Sequence, residues 1–212
     1  MKWWENSAER KDLIEEIITL RASFLIDKAL RGLRIDFDRA LDILRNRNAF
    51  ISAREQQQHE ILVAAVENLI DFAVAEEMTM LGALPEQVSE TNLAECEEVC
   101  RRYNLVYAQK ENEQVGLAAA MAAWWMAVSE DTLVTFMTQG DERVRPWHLS
   151  FEGISYRKSE FPPELIPPIE WGCRCYLVAN GFASVHASVS RSSGHRKVDP
   201  VFRESLATGG RI

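Results

Sequence analysis

All seven prolines lie at position 85 or later, and six of them lie beyond 145. Proline removes a backbone donor and restricts the residue before it, so where proline is absent long helices are permitted, and where it recurs they are excluded. The chain therefore divides into an N-terminal part free to be helical and a C-terminal part that must be largely turns, extended segments and short strands. Charge divides at the same place. Residues 1–139 carry 24 acidic against 14 basic side chains, and residues 140–212 carry 10 basic against 8 acidic. The resulting net charge of -8 and pI near 5.1 argue against a protein that coats duplex nucleic acid over its whole surface.

Apolar periodicity fills in the first part. Leu13, Ile17, Leu20 and Phe24 recur at helical steps, which predicts one helix over residues 8–31 with Gly32 as its stop. Asp36 reads as the cap of a second helix with Phe37, Ala40, Leu41 and Leu44 on one face. A third helix is predicted from about Ser52 to Leu81, with Ile61, Ala65, Leu69, Phe72 and Ala75 inward and Gly82 and Pro85 as terminators. A fourth starts near Ser89 or Thr91, turns Val99, Tyr103, Val106 and Tyr107 inward, and continues, directly or after a kink, to Val128. The tandem pairs Trp3-Trp4 and Trp124-Trp125 diverge by about 100° on a helix, so one member of each is expected in the core and the other at the surface or an interface. Val115 to Val128 is the longest uncharged apolar stretch, at 14 residues. A bilayer span takes about 20, so none is expected. The first ten residues have no apolar run, hence no export signal is read and the thiols are expected to be reduced.

Beyond Ser129 the residue types change. Thr132–Thr138 is β-branched and aromatic, and Ile154–Arg157 and Cys173–Ala179 are the next strand candidates. The expected fold class is α+β, with three regions. Residues 1–128 form an acidic helical bundle or hairpin, residues 130–180 a small Pro-rich domain with a three-stranded sheet, and residues 181–212 a basic, flexible or extended tail whose end seals nothing.

The chemistry-bearing residues concentrate between Thr138 and Cys175. One cluster is Asp141-x-Arg143-Val144-Arg145-x-x-His148, followed by Gly153; the other is Trp171-x-Cys173-Arg174-Cys175, with two Pro-Pro pairs between. On a strand Cys173 and Cys175 would face one side and Arg174 the other, a geometry that does not favour a mutual disulfide. His148, Cys173 and Cys175, with Asp141 as a fourth, are of types that zinc accepts; the alternative is that the thiols are small buried hydrophobes, which leaves the chain with no cofactor. Arg143 and Arg145 are expected on one face of an extended segment, either touching phosphate or an acidic partner, or tying Asp141 and Pro-loop carbonyls together. The second use is favoured, because a small irregular domain has many carbonyls to satisfy. Cys96 and Cys100 sit one helical turn apart and read as core. His59 reads as solvated. No nucleophile motif or Gly-rich phosphate loop accompanies His148.

This pair of motifs, in this order, resembles the phage Mu F-like family, the head morphogenesis domain of minor head proteins. The resemblance is close over about 45 residues. It implies a structural, non-enzymatic protein inside the virion head of a tailed phage or prophage. Such a protein is made in the bacterial host cytoplasm, present in several copies, and associated with the portal and with capsid or scaffold proteins. It acts in head assembly and genome packaging or ejection. The motif core would be Asp141, Arg143, Val144, Arg145, His148, Gly153, Trp171, Cys173, Arg174 and Cys175. In the tail, Arg191, Arg196, Lys197 and Arg203 are candidates for contact with packaged DNA or the portal. The rival is a metal-dependent or ribonuclease-like hydrolase or toxin built on the same small domain, with His148, Arg143 and Arg145 in its site.

Overall fold

The computed structural model describes residues 7–45, 52–180, 198 and 205–210. The fold is α+β: long helices followed by a small antiparallel sheet. Helix α1 spans Ser7–Leu33, α2 Phe37–Arg45, α3 Ala53–Ala83 and α4 Leu93–Arg101. A π-helical turn, Arg102–Tyr107, joins α4 to α5, Ala108–Ala127. Strand β1 is Leu133–Met137, α6 is the single turn Pro146–Leu149, β2 is Ser155–Arg157 and β3 is Tyr176–Asn180.

Helix α1 runs through Gly32 instead of stopping there. Arg34 takes the left-handed conformation at φ 57, and the paired bonds Arg34 N–H to Arg31 O and Ile35 N–H to Leu30 O close the end. Gly32 has a different use. A Cβ on it would lie 2.6 Å from the Ala119 Cβ and 2.9 Å from the Gly116 carbonyl, so its bare backbone is what lets α1 approach α5. Asp36 does cap α2, accepting from Arg39 N–H, but Phe37 is exposed and Ile43 is the residue buried beside Ala40. Ser52 caps α3 by accepting from Glu55 N–H. The inward stripe of α3 begins as expected with Ile61, Ala65 and Leu69, then shifts by one position to Ala73, Glu77 and Met80, leaving Phe72 half-buried and Ala75 exposed. Gly82 lies inside the last turn.

The π-helical turn explains a further departure. It adds a residue to the turn and shifts the helical face, so Val106 and Tyr107, expected inward, are exposed, while Val99 and Tyr103 are half-buried. In α5 the small residues Ala118, Ala119 and Ala122 are buried against α1, and Trp125 is buried while Trp124 is only partly so. Trp3 and Trp4 lie outside the described residues.

The sheet has the order β2-β1-β3 with both pairings antiparallel. Central β1 buries Val134, Thr135 and Phe136 in sequence, as a strand covered on both faces does. Strand β3 begins at Tyr176, so Cys173 and Cys175 lie in the segment leading into it, not within it. The apolar core is continuous from the helices into the sheet. Trp125 meets Phe161 edge-on at 5.7 Å, and Phe72 of α3 meets Trp171 at 5.5 Å. Lys158, itself buried, donates to the Val128 carbonyl and to Glu130 where the two parts join.

The end of the chain is not idle. Leu206 and Ala207 are buried in a short helical turn against α5 and α3, and Val198 is buried too. The expectation for residues 181–212 is a flexible or extended tail ending in a short amphipathic stretch that seals nothing; instead Leu206 and Ala207 fill a gap between the helices.

Candidate functional site

The two motif clusters meet. After β1 the chain makes a tight turn in which Val144 N–H donates to the Asp141 carbonyl. Residues 141–144 are therefore bent, and Arg143 and Arg145 do not share a face of an extended segment. Asp141 accepts from Arg143 N–H within the turn and receives both guanidinium nitrogens of Arg174 at 2.8 and 2.7 Å. The Arg174 hydrogen bonds hold the Asp141 carboxyl below its ordinary range. Asp141 is thus tied to Arg174 and is not a fourth member of the sulfur cluster.

Pro146 opens α6 at a position where its missing N–H costs nothing, and one turn of helix carries His148 into the interior at 2% exposure. Gly153 then takes φ 78, which lets the chain reverse and its N–H reach the Phe136 carbonyl before β2. From the other side, Arg145 Nη2 donates to the Trp171 carbonyl at 2.8 Å, and Arg145 Nε lies 2.8 Å from Glu170 Oε1. Gly172 N–H donates to Gln114 of α5 at 2.8 Å, so a helical side chain fixes the approach to the cysteines. The structural use expected of both arginines falls to Arg145 and Arg174. Arg143 points its side chain into an open groove.

At the junction, His148 Nδ1 lies 3.3 Å from Cys175 Sγ and 4.0 Å from Cys173 Sγ, and the three atoms all lie within 4.8 Å of one another. Both thiols are free. The ring's other nitrogen, Nε2, is 2.7 Å from Glu170 Oε1. The two buried atoms are close but do not meet hydrogen-bond geometry. Hydrogen bonding from the Cys175 thiol pulls the Cys173 thiol well below its ordinary value, and the same bond together with burial pushes Cys175 up. A recess of about 10 Å³ borders these atoms, lined also by Gln139 and Val144.

A larger groove of about 840 Å³ runs beside this junction, between α3, α5 and the small domain. It is lined by Arg143, Arg145, Arg174 and Lys110, with Glu111 and Trp171, and not by His148. Glu111 belongs to a second buried cluster that the sequence did not announce. Arg21 of α1 stands 3.5 Å from both Glu76 and Glu111, and its other nitrogen reaches Asn104 and the Tyr103 carbonyl of the π-helical turn. Burial, with the nearby Glu76 charge, pushes the Glu111 carboxyl up to about 7 against the pull of Arg21. Glu170 was also missed. Its one available signal was its place as the acid directly before Trp171. Arg191, Arg196, Lys197 and Arg203 lie outside the described residues, and among the described residues no helix is long and apolar enough to cross a membrane.

No protein-family model and no solved structure matches the chain. An uncharacterized protein of Methanocaldococcus jannaschii is similar to part of it, 35% identical over 69 residues. That stretch is 32% of this chain and 10% of the archaeal protein, so the chain spans a small part of that relative.

Proposed function

We propose that the chain is a non-catalytic minor head protein of a tailed phage, acting beside the portal in head assembly and in genome packaging or ejection. The observation that supports this reading is that the two segments carrying its resemblance to Mu F-like proteins are the two that join in space, through Asp141–Arg174, Arg145–Trp171 and His148–Cys175. Residues far apart in sequence that close on one another are a fold's own fastening, and the recess they leave at His148 is small, about 10 Å³. The helical part offers partners an apolar surface, including Ile70, Val74 and Met78 at four-residue steps along α3 and Leu20 and Phe24 on α1. Contact with packaged DNA through the basic tail remains part of the proposal. The direct test is capture of the cognate portal protein by the purified chain. Retention of portal at moderate salt supports the reading; no retention, with normal infectivity after deletion of the gene, rejects it.

One observation favours the rival hydrolase. The large groove sets Arg143, Arg145 and Lys110 beside a carboxyl with a pKa near 7, a pairing suited to acid–base work on a phosphodiester. Hydrolysis of RNA by the purified chain, lost in Glu111→Gln, would replace the structural reading with this one.

A further inference from the structure

We infer that His148, Cys173 and Cys175 bind one zinc ion, which fastens the segment after β1 to the segment before β3. The inference does not depend on the phage-head reading. It starts from the donor set: one imidazole nitrogen and two sulfurs, from positions 25 and 27 residues apart in the chain, gathered within 4.8 Å. Zinc is borderline-soft and takes this combination of ligands readily.

The separations fit an ion. Zn–S bonds of about 2.3 Å and Zn–N bonds of about 2.0–2.1 Å at a tetrahedral centre place nitrogen and sulfur about 3.6 Å apart. The observed separations, 3.3 and 4.0 Å, stand on either side of that value. Bringing the imidazole nitrogen and each sulfur onto an ion therefore asks for changes in separation of only about 0.3–0.4 Å, and the sulfurs, which like all three atoms lie within 4.8 Å of one another, need about 3.8 Å.

The surroundings fit as well. A histidine that binds a metal through one nitrogen characteristically presents the other to a carboxylate, which fixes the ring and its tautomer. Glu170 stands 2.7 Å from His148 Nε2, not aligned as a hydrogen bond in the metal-free junction but placed to take that role once the ring turns onto an ion, and is itself held by Arg145. With the proton on Nε2, Nδ1 turns its lone pair toward the two sulfurs. Two thiolates neutralise a divalent ion, and the Glu170 and Arg145 charges cancel beside it, so the occupied junction carries no net charge. The recess of about 10 Å³ next to these atoms is of the order of one water molecule. It leaves a fourth position that a water would fill, so the ion is held by three protein ligands.

The competing account is a metal-free junction in which the thiols and the imidazole hydrogen-bond to one another. The two are separated by producing the full chain in zinc-supplemented medium, purifying it without chelating resin, and measuring metal per chain. The expected result is about one zinc per chain, in line with a three-ligand site of this type. Stripped protein titrated with Co²⁺ should develop the visible bands of a tetrahedral centre and the near-ultraviolet thiolate charge-transfer band. Cys173→Ser, Cys175→Ser and His148→Ala should each abolish both signals, whereas Cys96→Ser and Cys100→Ser should keep them. Glu170→Gln should keep the stoichiometry and weaken affinity about 10- to 100-fold. If the ligand variants do not fold, the parent chain decides: a chelator should lower its unfolding temperature and added zinc should restore it. Zinc-free protein from replete cells with no charge-transfer band on cobalt addition overturns the inference. So does metal binding that survives loss of both cysteines.

Discussion

Arg143 and Arg145 are two residues apart and chemically identical, yet the structure gives them different work. Arg145 holds the Trp171 carbonyl and Glu170, while Arg143 faces the groove. Arg145→Ala should lower stability by about 1 kcal/mol, and Arg143→Ala should stay within about 0.5 kcal/mol of the parent, as read by denaturant unfolding. Equal losses would mean that the turn at 141–144 is not the one described. Glu111 supports a pH prediction. Its carboxyl is raised from 4.5 to about 7 by burial and by Glu76. Between those values the folded chain keeps a proton that the unfolded chain has released, so stability is fullest below the lower value and falls as pH rises through the upper one. The unfolding temperature should drop from about pH 5 to about pH 7.5, and Glu111→Gln should remove about 2–4 °C of that drop, allowing for partial solvent screening. At this scale the sequence was informative about which residues gather and much less about who binds whom. His148, Cys173 and Cys175 were readable as a set from their types. Asp141 was placed with them because acids suit metals, but Arg174 offers it two parallel hydrogen bonds, a stronger match for a carboxylate. Arg21, Glu76 and Glu111 come from three different helices, and no spacing rule could have linked them.

Among the elements, the most informative is the contact between α1 and α5. Gly32 reads as a helix stop because glycine usually ends helices, whereas here it sits within one and serves as a contact point. Gly32→Ala should push the two helices apart and cost about 1–3 kcal/mol. Gly116→Ala, in α5, meets nothing within 4 Å and should gain up to about 1 kcal/mol from helix propensity alone. Thermal unfolding of the two variants in parallel checks the contrast; a stable Gly32→Ala would show that the helices do not approach this closely. Helix existence and the three strands were legible from apolar period and from proline position. Helix faces were legible only until the backbone departed from regular α geometry. The π-helical turn at Arg102–Tyr107 has no composition signature, and it turned Val106 and Tyr107 outward. The last strand was read as starting too early, at Cys173, because Cys173–Ala179 is uniformly compatible with extended chain, and only pairing with β1 sets where the ladder starts.

At the scale of the whole molecule, residues 205–207 belong to the core. Leu206 is buried at 1% exposure between α3 and α5, and Leu206→Ala should cost about 2–5 kcal/mol in equilibrium unfolding. A neutral effect would mean that the turn Leu206–Thr208 does not dock on α3 and α5. With that plug in place, a continuous core joins the helical part to a small domain fastened by its own motif residues. That construction suits a component that must hold shape while presenting surface to larger partners, which is the sense of the proposed head role. The most direct measurement of the proposed role is made on heads purified by sedimentation from cells in which a phage with a genome carrying this chain's gene is produced, with and without that phage's portal. A portal-associated head protein sediments in the head fraction and is lost from it when the portal is absent. Heads that form, package and infect normally while the chain stays wholly in the unsedimented fraction would contradict the proposed role.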